Sequence, residues 1–285
     1  MEVVDYTLLK KIIQPRSLNS HKGDYGRLLL IGGTYPFGGA IIMAALAAVH
    51  SGAGLVTVAT DRENIAALHA HLPEAMAFDV QDKKLLTEQV QKADVVLIGP
   101  GLAESKLEKS VLQLVVELVS EHQVFIMDGG AISLFSQEAL PFPKAQTIFT
   151  PHQKEWERLS GLKIAEQTVE KSQEAVNAFP VKTIVVQKKH GTTIFQSGNQ
   201  NCFQLSIGGP YQATGGMGDT LAGIIAGFVG QFNSSSLLER VTAAVYLHSA
   251  IAEELSKENY VVLPTEISKE IPKWMKKLTK NENIL

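Results

Sequence analysis

Arg27-Leu-Leu-Leu-Ile31, then Gly32-Gly-Thr-Tyr-Pro-Phe-Gly-Gly39, then Ala40-Ile-Ile-Met-Ala-Ala-Leu-Ala-Ala-Val-His50, then Leu55-Val-Thr-Val-Ala59: these residues read as strand, glycine loop, helix and strand. The two apolar runs carry no alternation of polar and apolar residues, which is the pattern of strands covered on both faces. The same unit recurs outward from it. Asp94–Ile98, Val124–Met127, Thr147–Phe149 and Thr183–Val186 are further short apolar runs bounded by Gly, Asp or Pro. Leu85–Gln91, Ser105–Ser120, His152–Ser160 and Ile164–Phe179 lie between runs and keep a helical period. Alternating strands and helices predict a doubly wound α/β fold with a mostly parallel central sheet and helices on both faces. Thr192–Gln196 and Asn201–Ser206 flank Ser197-Gly-Asn-Gln200, a hairpin signal that places antiparallel strands at one edge. The last third, with Asp219–Phe232, Ser236–Ser256 and Thr265–Lys277, reads as largely helical. No repeat, Pro/Ser-rich linker or low-complexity tract interrupts the pattern, so residues 1–285 are expected to form a single domain.

Composition narrows the function classes. Hydrophobic residues make up 45% of the chain and charged residues 19%, enough apolar material for a large core and too little charge for disorder. The net charge of −3 offers no chain-wide basic surface for nucleic acid, so an anionic ligand needs a local positive site. The single cysteine, Cys202, excludes an internal disulfide and a multi-Cys zinc site and suggests a reducing compartment, taken here as the cytoplasm. The first residues show no secretory h-region, and the longest apolar run, Ala40–Val49, falls far short of the ~20 residues of a membrane helix.

Ligands in a doubly wound sheet bind beyond the carboxyl ends of the strands, where loops lead into helices. Ala213-Thr-Gly-Gly-Met-Gly-Asp-Thr-Leu-Ala-Gly223 is the strongest segment of that kind. Gly215, Gly216 and Gly218 let successive backbone N–H groups face an anion, with the helix dipole behind them. Asp219 then reads either as a proton acceptor beside the bound phosphate or as the helix N-cap. Gly32–Ala40 and Gly99-Pro-Gly-Leu102 permit close backbone approach by a ligand or by the packing helix. The first matches neither a dinucleotide nor a P-loop signature, and the second is also ordinary turn chemistry. In Thr150-Pro-His-Gln-Lys-Glu155, His152 suits a ligand contact and Glu155 a hydrated metal ion, while the plainer reading has Thr150 or His152 near a helix start and Glu155 stabilising its N-terminal dipole. Lys188-Lys189-His190-Gly191-Thr192 offers charge, turn and hydroxyl to a nucleotide, or is simply a polar hairpin.

Together, GRLLLIGG…GGA, LIGPGL, TPHxxE and ATGGxGDxLAGxIAG, in this order, resemble the ADP/ATP-dependent NAD(P)H-hydrate dehydratases of the ribokinase-like superfamily, from about Lys22 to Ser249. The resemblance implies an ADP-dependent hydro-lyase, with ATP as a further possible donor, that restores NADH or NADPH from the S-form of its hydrate and releases AMP and phosphate. It implies Asp219 as base; Ala40, Gly101, His152 and Asp219 as hydrate contacts; and Lys188 to Thr192 with Gly215, Gly216 and Gly218 around the adenine nucleotide. It further implies Mg²⁺ with the phosphates, though no residue cluster identifies its ligands; a homo-oligomer, specifically a tetramer; and a free-standing bacterial form without an epimerase domain. The chain departs from the family pattern at Lys189 (for Gly), Met217 (for Thr), Tyr211–Gln212 (for Gly-Met) and Asp128-Gly-Gly-Ala131 (for Asp-Ala-Asp-Ala). The alternatives are a ribokinase-like kinase of the hydroxyethylthiazole type and a non-enzymatic nucleotide sensor.

Overall fold

A computed structural model of the chain describes residues 2–280. The ten strands among them are β1 (Glu2–Val3), β2 (Arg27–Ile31), β3 (Leu55–Thr60), β4 (Met76–Asp79), β5 (Val95–Ile98), β6 (Val124–Met127), β7 (Gln146–Phe149), β8 (Ile184–Gln187), β9 (Thr193–Gln196) and β10 (Phe203–Gln204). They form one sheet in the order β1-β10-β9-β8-β7-β6-β5-β2-β3-β4. From β4 to β8 every pairing is parallel, and β9 then turns back antiparallel on both β8 and β10. The expected doubly wound sheet with a hairpin edge is therefore present.

The eleven α-helices of the described residues are α1 (Tyr6–Ile12), α2 (Gly38–His50), α3 (Ile65–His71), α4 (Lys83–Lys92), α5 (Lys106–Leu118), α6 (Gly129–Gln137), α7 (Gln153–Ser160), α8 (Val169–Asn177), α9 (Met217–Gln231), α10 (Leu237–Ser256) and α11 (Pro264–Thr279). Successive residues of each strand feed opposite cores. Leu28, Leu30, Val95, Leu97, Ile126 and Ile148 pack with α1, α2, α9, α10 and α11. Leu29, Ile31, Val96, Ile98, Phe125 and Phe149 pack with helices α4 to α8. Both faces are covered, which is why the strands lack polar alternation. The helices α2 and α9 meet closely because a side chain at Gly223 would overlap the Ala44 carbonyl. Val241, Val245, Leu247 and Ile251 of α10 are buried in the same core, so this face of α10 covers the chain's own sheet.

The structure adds and divides elements. The stretch Ile164–Phe179 splits, because Thr168 accepts from Lys171 N–H and starts α8 afresh. Elements β1, α1, α3, β4 and α6 were not legible as runs. Most are short, and α6 opens on Gly129–Gly130, which reads as a loop. No described helix is long and apolar enough to cross a membrane.

Candidate active site

The strand order reverses between β2 and β5, and the loops leaving these two neighbours lead to different helices, so a crevice opens at their carboxyl ends. The two loops are stitched together across it. Gly33 and Thr34 N–H groups donate to Pro100 and Gly101 carbonyls, both at 2.9 Å. The Thr34 hydroxyl donates to Gly101 O at 3.1 Å and accepts from Ala103 N–H at 2.8 Å. Gly101 is thereby set against Ala40, so that a Cβ built on it would stand 2.9 Å from the Ala40 Cβ. With φ at +63°, only glycine fits there without strain. One turn along α2, Met43 lies against Gly216, so this wall runs directly into the glycine loop before α9.

The opposite wall comes from the ends of β7 and β8. Lys188 N–H donates to Pro151 O at 2.8 Å, and His152 and Lys188 bridge in parallel register. His152, Lys188, Lys189, His190, Gly191, Thr192 and Gly218 border a cavity of about 630 Å³. Gly215 and Gly216 stand at its edge rather than in its lining; a side chain at Gly215 would meet nothing within 4 Å. A larger groove, about 980 Å³, lies at the amino ends of the strands around Arg16, Tyr25 and Phe232, far from all of these residues.

Two expectations about helix starts resolve differently. Gly216, in the left-handed region at φ +91°, is the N-cap of α9, and Asp219 is the third helical residue, its carboxylate accepting from its own backbone N–H. The cap reading of Asp219 is thus replaced: the glycine begins the helix two residues earlier than the sequence pattern suggests. His152 and Glu155, by contrast, do form a capping box. The His152 Nδ1 accepts from the Lys154 and Glu155 N–H groups, both at 3.1 Å, so Nε2 carries the proton and faces Glu155 Oε1 at 3.2 Å. Glu155 Oε2 in turn accepts from His152 N–H at 2.8 Å. Both side chains therefore serve α7 as well as bordering the site.

Four ionisable groups converge between the walls. Asp128, at the end of β6 and 2% exposed, accepts from the Lys188 ammonium at 2.8 Å and from the Thr150 hydroxyl at 2.6 Å. Burial alone would pull the lysine down, but the Asp128 and Glu155 carboxylates outweigh it and hold the ammonium above its ordinary range. Burial raises Glu155, with Lys188 opposing. Asp219 is pushed up to about 6, first by burial, then by the Asp128 charge, with Lys188 opposing. This places Asp219 where a general base is effective near neutral pH. His248, buried on α10, is driven down to about 4 by burial and by Lys188, against a hydrogen bond with the Met217 backbone. It is a neutral imidazole in the cavity lining, and its Nε2 has no partner. Sequence reasoning passed over Asp128, Thr150 and His248 as site residues. Of these, only Asp128 had a usable signal, its position at the end of an apolar strand.

No group of three or more His, Cys, Asp or Glu side chains among the described residues is placed to hold a metal ion.

The family model described as NAD(P)H-hydrate dehydratase matches residues 28–273. An ADP-dependent (S)-NAD(P)H-hydrate dehydratase from Streptococcus pneumoniae is 60% identical over 284 residues, covering 100% of this chain and 98% of that protein. A ribokinase-like superfamily protein from Enterococcus faecalis superposes with a TM-score of 0.93 at 45% identity, covering 98% and 96% of the two chains. The ADP/ATP-dependent NAD(P)H-hydrate dehydratase of Bacillus subtilis, co-crystallised with ATP/Mg²⁺, gives 0.81 at 27% identity, with 95% and 96% covered.

Proposed function

The chain belongs to the ADP-dependent NAD(P)H-hydrate dehydratase family, a hydro-lyase family, and from that premise we propose how its residues divide the work. Asp219 accepts the proton of the hydrate's hydroxyl. The oxygen attacks the terminal phosphorus of ADP, the bond to the bridging oxygen breaks, and AMP leaves. The phosphate of the new ester then departs with the C–O electron pair and takes up the proton lost by the adjacent ring carbon, and the C=C bond of NADH or NADPH is restored. Water, a poor leaving group, has been converted into a good one. The observation that carries this reading is a half-buried carboxylate at the start of α9, its pKa pushed up to about 6, beside a glycine loop and a lysine.

Gly215, Gly216 and Gly218 present backbone N–H groups to the transferring phosphoryl group, which needs positioning and charge stabilisation. Lys188 to Thr192 hold the rest of the nucleotide, and Ala40, Gly101 and His152 hold the hydrate. Magnesium, when bound to the phosphates, neutralises their charge; Glu155 fits as a partner to one of its waters. ADP is taken as donor, with ATP tolerated. Residues 1–285 are taken as one domain, because a single sheet runs from Glu2–Val3 to Phe203–Gln204 and α9, α10 and α11 pack in its core. We also assign a cytoplasmic location and a homotetramer, the latter with exposed Tyr35, Phe37, Tyr260 and Leu263 as surface to be covered. Light scattering showing only monomer at micromolar concentration would remove the tetramer.

The reaction is tested by incubating the protein with hydrated NADH, ADP and magnesium and following the return of NADH absorbance with formation of AMP and phosphate. A stable phosphorylated product would indicate a kinase, and binding without turnover a sensor. Turnover with ATP but none with ADP would overturn the donor assignment.

A further inference from the structure

We propose that Asp128 is a positioning residue for phosphoryl transfer: it holds the Lys188 ammonium at the mouth of α9, where the lysine supplies the charge that the glycine loop lacks. The inference rests on the reading of Asp219 as base and of Gly215–Gly218 as the phosphoryl site. The chain has no P-loop lysine next to its glycines. Lys188 arrives there from another strand. Its Nζ lies 3.1 Å from the place a Gly218 Cβ would occupy, so the absence of a side chain at 218 is what admits the ammonium. Nothing in β8 itself would keep a flexible four-carbon stem at that point. Asp128 does so, with one oxygen shared between Lys188 at 2.8 Å and the Thr150 hydroxyl at 2.6 Å. Thr150 is fully buried and Asp128 nearly so, while the Lys188 side chain keeps a fifth of its surface open toward the cavity.

The same pair sets the charge around the base. The groups facing Asp219 are Asp128 from β6, Glu155 from α7 and Lys188 from β8, with neutral His248 on α10 beside Lys188. Asp128 makes the base harder to ionise and Lys188 makes it easier. Removing one member or the other therefore moves the base in opposite directions, a signature that loss of fold cannot imitate.

The experiment compares kcat/KM against pH, and KM for ADP, in wild type, Asp128→Asn, Lys188→Met and the double variant. The ionisation of ADP is common to all four. The amide of Asp128→Asn keeps an acceptor for both donors but no charge. The acid limb is expected to fall by about one pH unit in Asp128→Asn and to rise by about one in Lys188→Met. KM for ADP rises about 10-fold in Lys188→Met, as for loss of one charge-assisted hydrogen bond. If Asp128 acts through Lys188, adding Asp128→Asn to Lys188→Met changes that KM by less than about 2-fold. Should the single Asp128 variant not fold, the double variant, in which neither member of the Asp128–Lys188 pair is left charged without the other, carries the comparison with Lys188→Met. Limbs that shift in the same direction, or a double variant about 10-fold worse for ADP than Lys188→Met, overturn the proposal. Asp219→Asn is assayed alongside: full activity in that variant sinks the assignment of the base instead, so the two failures are told apart.

Discussion

The two walls of the crevice are built from different materials. The wall between β2 and β5 is backbone and glycine: two main-chain hydrogen bonds, a threonine hydroxyl, and Gly101 pressed on Ala40. Beside the wall of β7, β8 and α9 stands a cluster of charge, with Asp128 and Glu155 buried and Lys188 and Asp219 half-buried. The first fixes shape and is indifferent to pH and salt. The second fixes charge, and its parts change one another's ionisation. A ring to be positioned requires the former, and a phosphoryl group to be transferred requires the latter.

Substitutions should expose that division. The largest effect is expected at the charged wall, where Asp219→Asn should lower turnover by ~10²–10⁴-fold while ADP binding and the unfolding midpoint stay near wild type. An active, folded variant would make the carboxylate incidental. Next, at the backbone wall, Gly101→Ala places a Cβ over the Phe37 carbonyl at an unfavourable φ. It should cost ~1–3 kcal/mol of stability and, by displacing Ala40, up to ~10²-fold in kcat/KM for the hydrate, with an unchanged pH profile. A shifted profile in this variant would show that the walls are electrostatically coupled.

What was legible followed the locality of the signal. The unit from Arg27 to Ala59 is so apolar that strand and helix declare themselves, and the glycines before Asp219 announce an anion site. The edge strand Met76–Asp79, half-exposed and without a continuous apolar run, gave no such sign. The ion pair of Asp128 was hidden for another reason. Its partner lies 60 residues away, and two following glycines disguise the start of α6 as a turn. Pairings made by strand order cannot be seen in spacing along the chain. The choice between cap and base at Asp219 stayed open in the sequence because glycines on either side let the helix start at any of several neighbouring residues.

A smaller effect concerns pH. In wild type, kcat/KM should fall about tenfold per unit as the pH drops below about 6, because Asp219, raised by burial and by Asp128, is active only when ionised. A profile flat to pH 5 would mean that the base lies elsewhere. The smallest is Thr34→Val, which removes the hydroxyl tying Gly101 O to Ala103 N–H. It should cost ~1 kcal/mol, read as a lower urea midpoint, with the pH profile intact.

The outermost strand has a bearing on how the hairpin behind the nucleotide cavity is secured. Glu2 and Val3 pair with Phe203 and Gln204, closing a loop of about two hundred residues for a few hydrogen bonds. Those bonds, each worth ~1 kcal/mol net, do not repay the chain entropy lost in bringing such distant segments together. The compensation has to come from α1, whose Leu9 and Ile12 are buried in the core that α10 shares. The strand is thus a passenger of its helix: exchange of the Glu2 amide with solvent should report the detachment of α1, not the fraying of the sheet.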